Sequence, residues 1–324
     1  MTGFGAMELA VYAGFAWLVF ASVYLGGKAL KARGIVGRDI NKPGEPALPE
    51  SAGIALLPWV WAFVLSYQLL MGVALDLLAL ACLATGYALV GFLDDTRNKF
   101  AKKPMGWMER ALPLAVLTLA FAWNYGGGSG NPTGFVLTAL FVGTIASLHN
   151  TFAGLNGWEV GTSWMMGLAG LVLVWDTPLL LPALAFNALA LGLLAWNVFP
   201  ARVFPGDSGT LLFGALNAGL IALTADLKLM GFYALLFVPH AIDLVGLKLL
   251  TNAQDATQQK QRPYALNAQE RICLPKYADG RKRLDYAKAL LCLLGPQPEE
   301  RLVAFIWASV AAWMMAAFYF FRPF

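Results

Sequence analysis

Two adjacent carboxylates, an amide and two lysines follow one another where an apolar stretch ends. Asp94 and Asp95 are followed by Asn98, four residues after Asp94, and then by Lys102 and Lys103. Adjacent carboxylates repel each other, and such a pair persists where a cation offsets the repulsion or where proton transfer requires both groups. If the helix continues, Asn98 shares a face with Asp94. Carboxylates followed by lysines suit a site that binds a divalent metal and phosphates, although a solvated helix end would have the same composition.

Amide and carboxylate side chains recur in two further loops. One loop carries Asn150, Asn156 and Glu159 among glycines and has no basic residue. Amide oxygens are acceptable ligands for Mg²⁺, and amides also pair with the edge of a nucleobase, although an asparagine helix cap is the simpler alternative. Asp207 follows a Pro-Gly turn and is the only acidic residue of its loop. Alone it is typical of an N-cap, and it gains interest because it lies on the same predicted face as Asp94, Asp95 and Asn150.

The elements that must position these side chains are apolar helices of membrane length. The chain has 324 residues, of which 59% are hydrophobic and 13% charged, and its mean hydropathy is +0.62. Soluble domains carry about 25% charged residues, and barrel strands would be shorter and alternate in polarity. The sequence therefore predicts an all-α integral membrane protein with about ten transmembrane helices of about 20 residues. They lie roughly at 6–27, 52–72, 74–93, 111–125, 134–149, 161–175, 178–196, 209–225, 229–250 and 302–321.

Basic residues mark one face of this helical array. If ten helices cross, the loops after helices 1, 3, 5, 7 and 9 share a side, and with their flanks they hold 21 of the 23 lysines and arginines. Basic loops stay in the cytoplasm, so the polar clusters form a cytoplasmic face. Charge asymmetry sets topology in any polytopic protein and does not by itself show function. We predict one polytopic membrane domain, 1–324, with a long cytoplasmic loop at 251–300 and a retained first helix.

Histidine and cysteine patterns indicate no further site. None of the three cysteines has the spacing of metal ligands. His149 and His240 belong to neither a Ser-His-Asp arrangement nor a His-Glu-x-x-His motif, and we expect structural roles for both. Asp243 comes one turn after His240 and either faces the site or pairs with Lys248.

Taken in order, the polar loops resemble those of the polyprenyl-phosphate N-acetylhexosamine-1-phosphate transferase superfamily. The dolichyl-phosphate GlcNAc-1-phosphate transferase branch is the most similar, and the resemblance covers most of the chain. Four motifs in the family's order make it specific. They are Gly37-Arg-Asp-Ile-Asn-Lys42 with Pro49-Glu-Ser51, Ala153-Gly-Leu-Asn-Gly-Trp-Glu159, Asn197-Val-Phe-Pro200 leading to Val203-Phe-Pro-Gly-Asp207, and Leu294-Gly-Pro296.

The resemblance implies an activity and its partners. It implies an enzyme that uses Mg²⁺, or Mn²⁺ in its place, to transfer GlcNAc-1-phosphate from UDP-GlcNAc to a polyprenyl or dolichyl phosphate. The reaction releases UMP and starts the assembly of a lipid-linked glycan. The partners are the nucleotide sugar and membrane lipid, not nucleic acid, and a homodimer is left open. The long loop looks shorter than in eukaryotic members, which favours a prokaryotic, in particular archaeal, cell membrane over the endoplasmic reticulum.

The same resemblance assigns roles to individual residues. It gives the metal and the donor pyrophosphate two ligands, Asn150 and Asp207. It assigns the acceptor phosphate to Asp94 and Asp95, and one of these two carboxylates could act as its base. Further phosphate contacts come from Asn98 and one of two lysines, Lys102 or Lys103. The uridine pocket is formed by Glu50, Asn156 and Phe204. A loop arginine, Arg271, binds pyrophosphate, a role that Arg262 or Lys276 could share.

Two alternatives remain open. Within the family, the donor could carry another sugar phosphate, such as the muramyl-pentapeptide unit, although the Pro-Glu-Ser and Ala-Gly-x-Asn-Gly-x-Glu segments argue against it. From another class, a transporter would place polar groups near the bilayer midplane on broken helices. The carboxylates here cluster at one predicted surface, and only His240 and Asp243 are candidates for a deeper site.

Overall fold

The structure, a computed structural model, describes residues 6–103, 105–127, 130–251, 263–275 and 283–321. Within these residues the chain forms twelve α-helices, a short 3₁₀ helix at Ala52–Leu56 and a π-helical segment at Ile242–Leu249. The α-helices are α1 Ala6–Ala32, α2 Leu57–Met71, α3 Leu75–Ala101, α4 Trp107–Tyr125, α5 Pro132–Thr151, α6 Trp158–Leu173, α7 Leu180–Asn197, α8 Gly206–Ala222, α9 Leu227–Leu236, α10 Val238–Ala241, α11 Tyr286–Leu294 and α12 Glu299–Phe321.

Two small antiparallel hairpins lie in the polar loops. In the first, β1 (Val36–Arg38) pairs with β2 (Ala47–Pro49), and in the second, β3 (Ala265–Leu266) pairs with β4 (Ile272–Cys273). The structure is 74% helical. The expectation of an all-α membrane protein therefore holds for the helical body, and the hairpins are additions that apolar periodicity did not predict.

Each predicted membrane span contains a helix, but not every helix is long enough to cross alone. Among the described residues, six helical segments are long and apolar enough to cross, or seven if the bent segment Leu227–Leu249 counts as one. The three remaining predicted spans fall on α4, α6 and α8, which have 19, 16 and 17 residues. α6 and α8 are shorter than a span of about 20 residues, and α4 has Glu109 and Arg110 in its first turn, so ten crossings remain a prediction.

The ninth predicted span, 229–250, is broken rather than continuous. The chain bends by 57° between α9 and the segment that begins at Val238. Pro239 is the physical reason, because a proline lacks the N–H of a helical hydrogen bond and its ring clashes with the carbonyl four residues earlier. That carbonyl, on Leu235, accepts a hydrogen bond of 2.9 Å from the indole of Trp313 instead.

The pair α3 and α8 forms the centre of the bundle, and a glycine sets their separation. Gly91 on α3 faces the first turn of α8, and a Cβ atom built there would lie 2.4 Å from the backbone of Asp207. Real Cβ atoms do not approach backbone so closely. The two helices can therefore touch at this level only because residue 91 has no side chain.

We expect Gly91→Ala to destabilise the protein by about 1–3 kcal/mol, because overpacking a close helix contact forces backbone shifts. The midpoint of thermal unfolding in detergent measures the effect. Gly231→Ala is the matched control, because Gly231 lies within α9 and no atom lies within 4 Å of its added methyl group. Alanine is a better helix former than glycine, so the control should unfold no earlier than the wild type. Equal midpoints for Gly91→Ala and the wild type would contradict the packing argument.

Candidate active site

The polar loops converge on a cavity of about 340 Å³ at one end of the bundle. This polar cavity lies where α5 and α7 end and α6 and α8 begin, beside the last turns of α3. Six of the predicted site residues line it, namely Glu50, Asp95, Asn150, Asn156, Phe204 and Asp207. The fold thus brings these six side chains together from four separate chain segments.

A tight turn brings Asp95 and Asp207 together. The backbone N–H of Asp207 donates to Asp95 Oδ1 at 3.3 Å, and the hydroxyl of Ser51 donates to Asp95 Oδ2. Gly206 has φ +64° and a Cβ there would lie 2.3 Å from Asp95 Oδ2, so only glycine fits this turn. Asp207 lies in the first turn of α8 and is not its N-cap, because the helix begins one residue earlier, after Pro205. The N-terminal helix dipole favours its negative charge.

Arg110, on the first turn of α4, holds this carboxylate cluster together. Its Nη1 atom lies 2.7 Å from Asp207 Oδ2 and 3.0 Å from Asp94 Oδ2. Met105 N–H donates to the other oxygen of Asp94 at 2.8 Å, which fixes the turn between α3 and α4. One guanidinium thus offsets the repulsion between two carboxylates. In the sequence, Arg110 is one of the basic residues on the predicted cytoplasmic side and directly precedes the predicted fourth span, so its position alone indicates no role in the site.

Asn150 completes the cluster. Its neighbours orient the amide with the oxygen accepting from Arg110 Nη2 at 2.6 Å and the nitrogen donating to Asp207 Oδ1 at 3.1 Å and to Thr210 Oγ1 at 2.6 Å. The predicted pair of metal ligands, Asn150 and Asp207, is therefore adjacent in space although 57 residues separate them in sequence.

Backbone pairing shapes the opposite wall of the cavity. Phe204 N–H donates to Pro49 O at 2.8 Å, and Ala52 N–H donates to Phe204 O at 3.0 Å. Asn197 ties two further loops together, because its side chain accepts from Gly157 N–H at 3.2 Å and donates to the carbonyl of residue 203 at 3.1 Å. These bonds place Phe204 beside the Pro-Glu-Ser segment, whose Glu50 forms an ion pair with Lys99.

The remaining predicted phosphate contacts lie apart from the cavity or outside the described residues. Lys102 and Lys103 are exposed after the end of α3, and Arg271 is exposed beside β4. Asn98 lies on α3 one turn after Asp94, as expected for a continuing helix, but its side chain lies outside the described part of the structure. Two alternatives to Arg271, namely Arg262 and Lys276, also lie outside it.

A buried tyrosine, Tyr264, packs against the loop between α5 and α6. Tyr264 is 3% exposed, and its hydroxyl lies near Gly154. Burial raises the pKa of Tyr264 well above its usual value, and the adjacent Asp285 carboxylate raises that pKa further. The phenol therefore stays neutral and serves as a hydrogen-bond donor to Asp285.

Both histidines are buried, and a structural role for them stays a prediction. His149 Nδ1 lies 3.1 Å from the hydroxyl of Ser163, and the ring of His240 packs on Phe152 with centroids 4.1 Å apart. Asp243 pairs with Lys248 at 2.7 Å, which is one of the two arrangements expected for it.

An apolar groove of about 710 Å³ lies between α4 and α5, and Arg110 is one of its lining residues. Its walls are mostly aliphatic and aromatic, including Leu114, Leu119, Leu140 and Leu244. Arg110 therefore borders the groove on one side and contacts Asp207, which lines the polar cavity, on the other. A molecule with a long apolar tail and a charged head would match this arrangement.

Apolar helices surround a cavity lined by carboxylates and amides, and Arg110 contacts one of these carboxylates from the neighbouring groove. The sequence model of glycosyl transferase family 4 matches residues 77–225, which include Asp94, Asn150 and Asp207. The chain belongs to this family, within the polyprenyl-phosphate hexosamine-1-phosphate transferase superfamily, whose members transfer a sugar phosphate to a polyprenyl phosphate. The superfamily expected from the motifs is thereby confirmed.

Individual relatives carry different names. A phospho-N-acetylmuramoyl-pentapeptide-transferase of Nocardia farcinica is 30% identical, and the match covers 63% of this chain and 71% of the relative. A Saccharolobus solfataricus protein, named as a candidate UDP-N-acetylglucosamine–dolichyl-phosphate N-acetylglucosaminephosphotransferase, is 28% identical over 76% of this chain and 79% of the relative. A Methanocaldococcus jannaschii protein, named as a candidate glycosyltransferase, is 29% identical over 84% and 83%.

Proposed function

We propose that this protein transfers GlcNAc-1-phosphate from UDP-GlcNAc to a polyprenyl or dolichyl phosphate and releases UMP. The position of Arg110, between the apolar groove and the carboxylate cluster, is the observation that carries the proposal. A lipid phosphate would bury its tail in the groove, at about 0.8 kcal/mol for each CH₂ group removed from water. Its head would then meet Arg110 beside the donor. The basic loops favour a cytoplasmic position for the polar cavity, where nucleotide sugars occur.

The choice of GlcNAc as the sugar rests on the motifs and on the name of the Saccharolobus relative. The Nocardia relative's name supports a muramyl-pentapeptide donor instead.

The donor set of the cavity suits Mg²⁺. Magnesium prefers oxygen ligands, keeps several waters and is held by one or two carboxylates together with substrate phosphates. Asp207 and Asp95 offer neighbouring carboxylates. Asn150 contacts Asp207 through its amide nitrogen, and its oxygen would leave Arg110 to join the metal. No group of three His, Cys, Asp or Glu side chains in the described parts of the chain has the arrangement of a closed metal site. A metal that shares its coordination with solvent and a diphosphate does not need one. When bound, it would neutralise charge on the donor diphosphate.

In the proposed reaction, an oxygen of the acceptor phosphate attacks the phosphorus that carries the sugar. The bond between that phosphorus and the oxygen bridging to UMP breaks, UMP leaves with the electron pair, and a lipid diphosphate sugar remains. A phosphate monoester has its second pKa near 6, so the acceptor is mostly a dianion at pH 7 and needs no strong base. Arg110 offsets the charge that spreads over the phosphoryl oxygens, while Asp94 and Asp95 orient the groups.

We expect purified full-length protein to release UMP only when UDP-GlcNAc, a polyprenyl phosphate and Mg²⁺ are all present. Chelation with EDTA should reduce release to background, and added Mg²⁺ or Mn²⁺ should restore it. Release of UDP would instead indicate attack on the sugar carbon. Release of UMP from UDP-MurNAc-pentapeptide but not from UDP-GlcNAc would favour the alternative donor. Release of neither nucleotide from either donor, combined with solute flux in liposomes, would favour a transporter.

A further inference from the structure

The side chain of Asn156, on the wall of the polar cavity, is held in one orientation by a buried carboxylate. Its Nδ2 atom donates to Asp39 Oδ2 at 2.9 Å, and both residues are 5% exposed. A carboxylate accepts hydrogen bonds and does not donate them. The NH₂ end of the amide must therefore face Asp39, and Oδ1 must point away from it.

The backbone of the same residue is held by a second carboxylate from a distant part of the chain. Asn156 N–H donates to Glu299 Oε1 at 2.8 Å, and Glu299 lies at the start of α12. Lys42 forms an ion pair with Glu299 directly and lies 3.6 Å from Asp39 Oδ2. One lysine thus neutralises both carboxylates that hold Asn156. Three separate chain segments, the loop after α1, the loop after α5 and the start of α12, fix the position of one amide.

This arrangement has a consequence for the ligand that the amide meets. With Nδ2 facing Asp39, the amide cannot exchange the positions of its oxygen and its NH₂ group, so the acceptor Oδ1 keeps one fixed position on this residue of the cavity wall. Uracil carries a donor at N3, whereas cytosine carries an acceptor at the same position. An acceptor that cannot turn pairs with the first base and is left opposite another acceptor with the second, and an unpaired buried acceptor is costly.

We propose that Asp39 is a positioning residue that makes the polar cavity selective for uridine over cytidine nucleotides by locking the amide of Asn156. The inference rests on the proposed function, because it assumes that the donor's nucleobase binds beside Asn156. Lys42 and Glu299 support the lock, because Lys42 lies 3.6 Å from Asp39 Oδ2 and Glu299 accepts from the backbone N–H of Asn156.

The test measures the affinity of the purified full-length protein for UMP and for CMP, by calorimetry, in the wild type and in Asp39→Asn. An asparagine at 39 can donate or accept, so the amide of Asn156 becomes free to turn. We expect the preference for UMP over CMP to fall about tenfold, the size of one hydrogen bond. In turnover with the UDP-linked donor, KM should rise by a similar factor while kcat changes less than about threefold. Unchanged preference in a folded Asp39→Asn variant would overturn the proposal.

The reciprocal pair Asp39→Asn with Asn156→Asp tests the same idea if the single variant does not fold. There the amide at 39 donates to the carboxylate at 156, which again presents an acceptor to the base. Restored preference for UMP supports the lock, and equal binding of UMP and CMP contradicts it. Glu300→Gln, at an exposed carboxylate next to Glu299, is the matched control and should leave both affinities unchanged. If the wild type itself binds neither nucleotide, the proposed function fails before the positioning role is reached.

Discussion

Replacement of Asp207 by asparagine is expected to reduce turnover by on the order of a thousandfold, comparable to the loss of a preorganised group that stabilises transition-state charge. Asp207 is contacted by Arg110 at 2.7 Å and by the amide of Asn150 at 3.1 Å, and Asp95 accepts from its backbone. Asparagine keeps the shape of the side chain but removes the charge that would attract a divalent metal. The variant therefore separates the electrostatic role of Asp207 from its packing.

The fold of this variant should remain intact. Three carboxylates meet near one arginine, and neutralising one of them relieves repulsion between like charges. The midpoint of thermal unfolding should therefore stay the same or rise. The matched control is Asp226→Asn at the opposite end of α8. Asp226 caps α9 by accepting from Lys228 N–H at 2.8 Å, and asparagine caps helices equally well. UMP release should be normal in the control, and normal release by Asp207→Asn would exclude the assigned site.

The sequence predicted the positions of the membrane helices and six of the residues that line the polar cavity. Long apolar stretches specify membrane helices because every backbone group must be satisfied within the segment, and helices are found at each predicted position. Asp95, Asn150 and Asp207 lie near the loops that follow the third, fifth and seventh predicted spans. Loops after every second membrane helix lie on the same side, so the order of the helices predicts that these residues share a face. Such inferences need only local composition and the order of elements.

The residues that escaped sequence analysis depend on contacts between distant segments. Asp39 and Glu299 meet at Asn156 although about 260 residues separate them, and no spacing rule connects the three. Arg110 reaches the carboxylates because α4 begins at Trp107 and the preceding turn folds back onto Asp94. Two lysines with a better sequence position, Lys102 and Lys103, are exposed instead. The lysines are nearer to Asp94 in sequence, but the turn before α4 brings Arg110 into contact with Asp94.

Arg110→Gln is the second variant with a large expected effect, a loss of about a hundredfold to a thousandfold in kcat/KM. Glutamine removes the positive charge that Asp94 and Asp207 share and that we assign to the acceptor phosphate. Arg110→Lys should recover only part of this loss, because an ammonium is a compact point charge and cannot contact two groups with a planar fork. The measurement is UMP release as a function of polyprenyl phosphate concentration, with the unfolding midpoint of each variant recorded.

The matched controls for Arg110→Gln are variants of two neighbouring lysines, Lys102 and Lys103. Lys102→Gln and Lys103→Gln remove the same charge from exposed positions, where screening by solvent and salt weakens any action on a distant phosphate. If the geometry sets the roles, each lysine variant should lose less than about tenfold while Arg110→Gln loses far more. The reverse order would return the phosphate contact to the lysines, as the motif resemblance implied. In that case Arg110 would serve only to hold the carboxylates in the free enzyme. Arg110→Gln would then lower the unfolding midpoint but leave turnover close to that of the wild type.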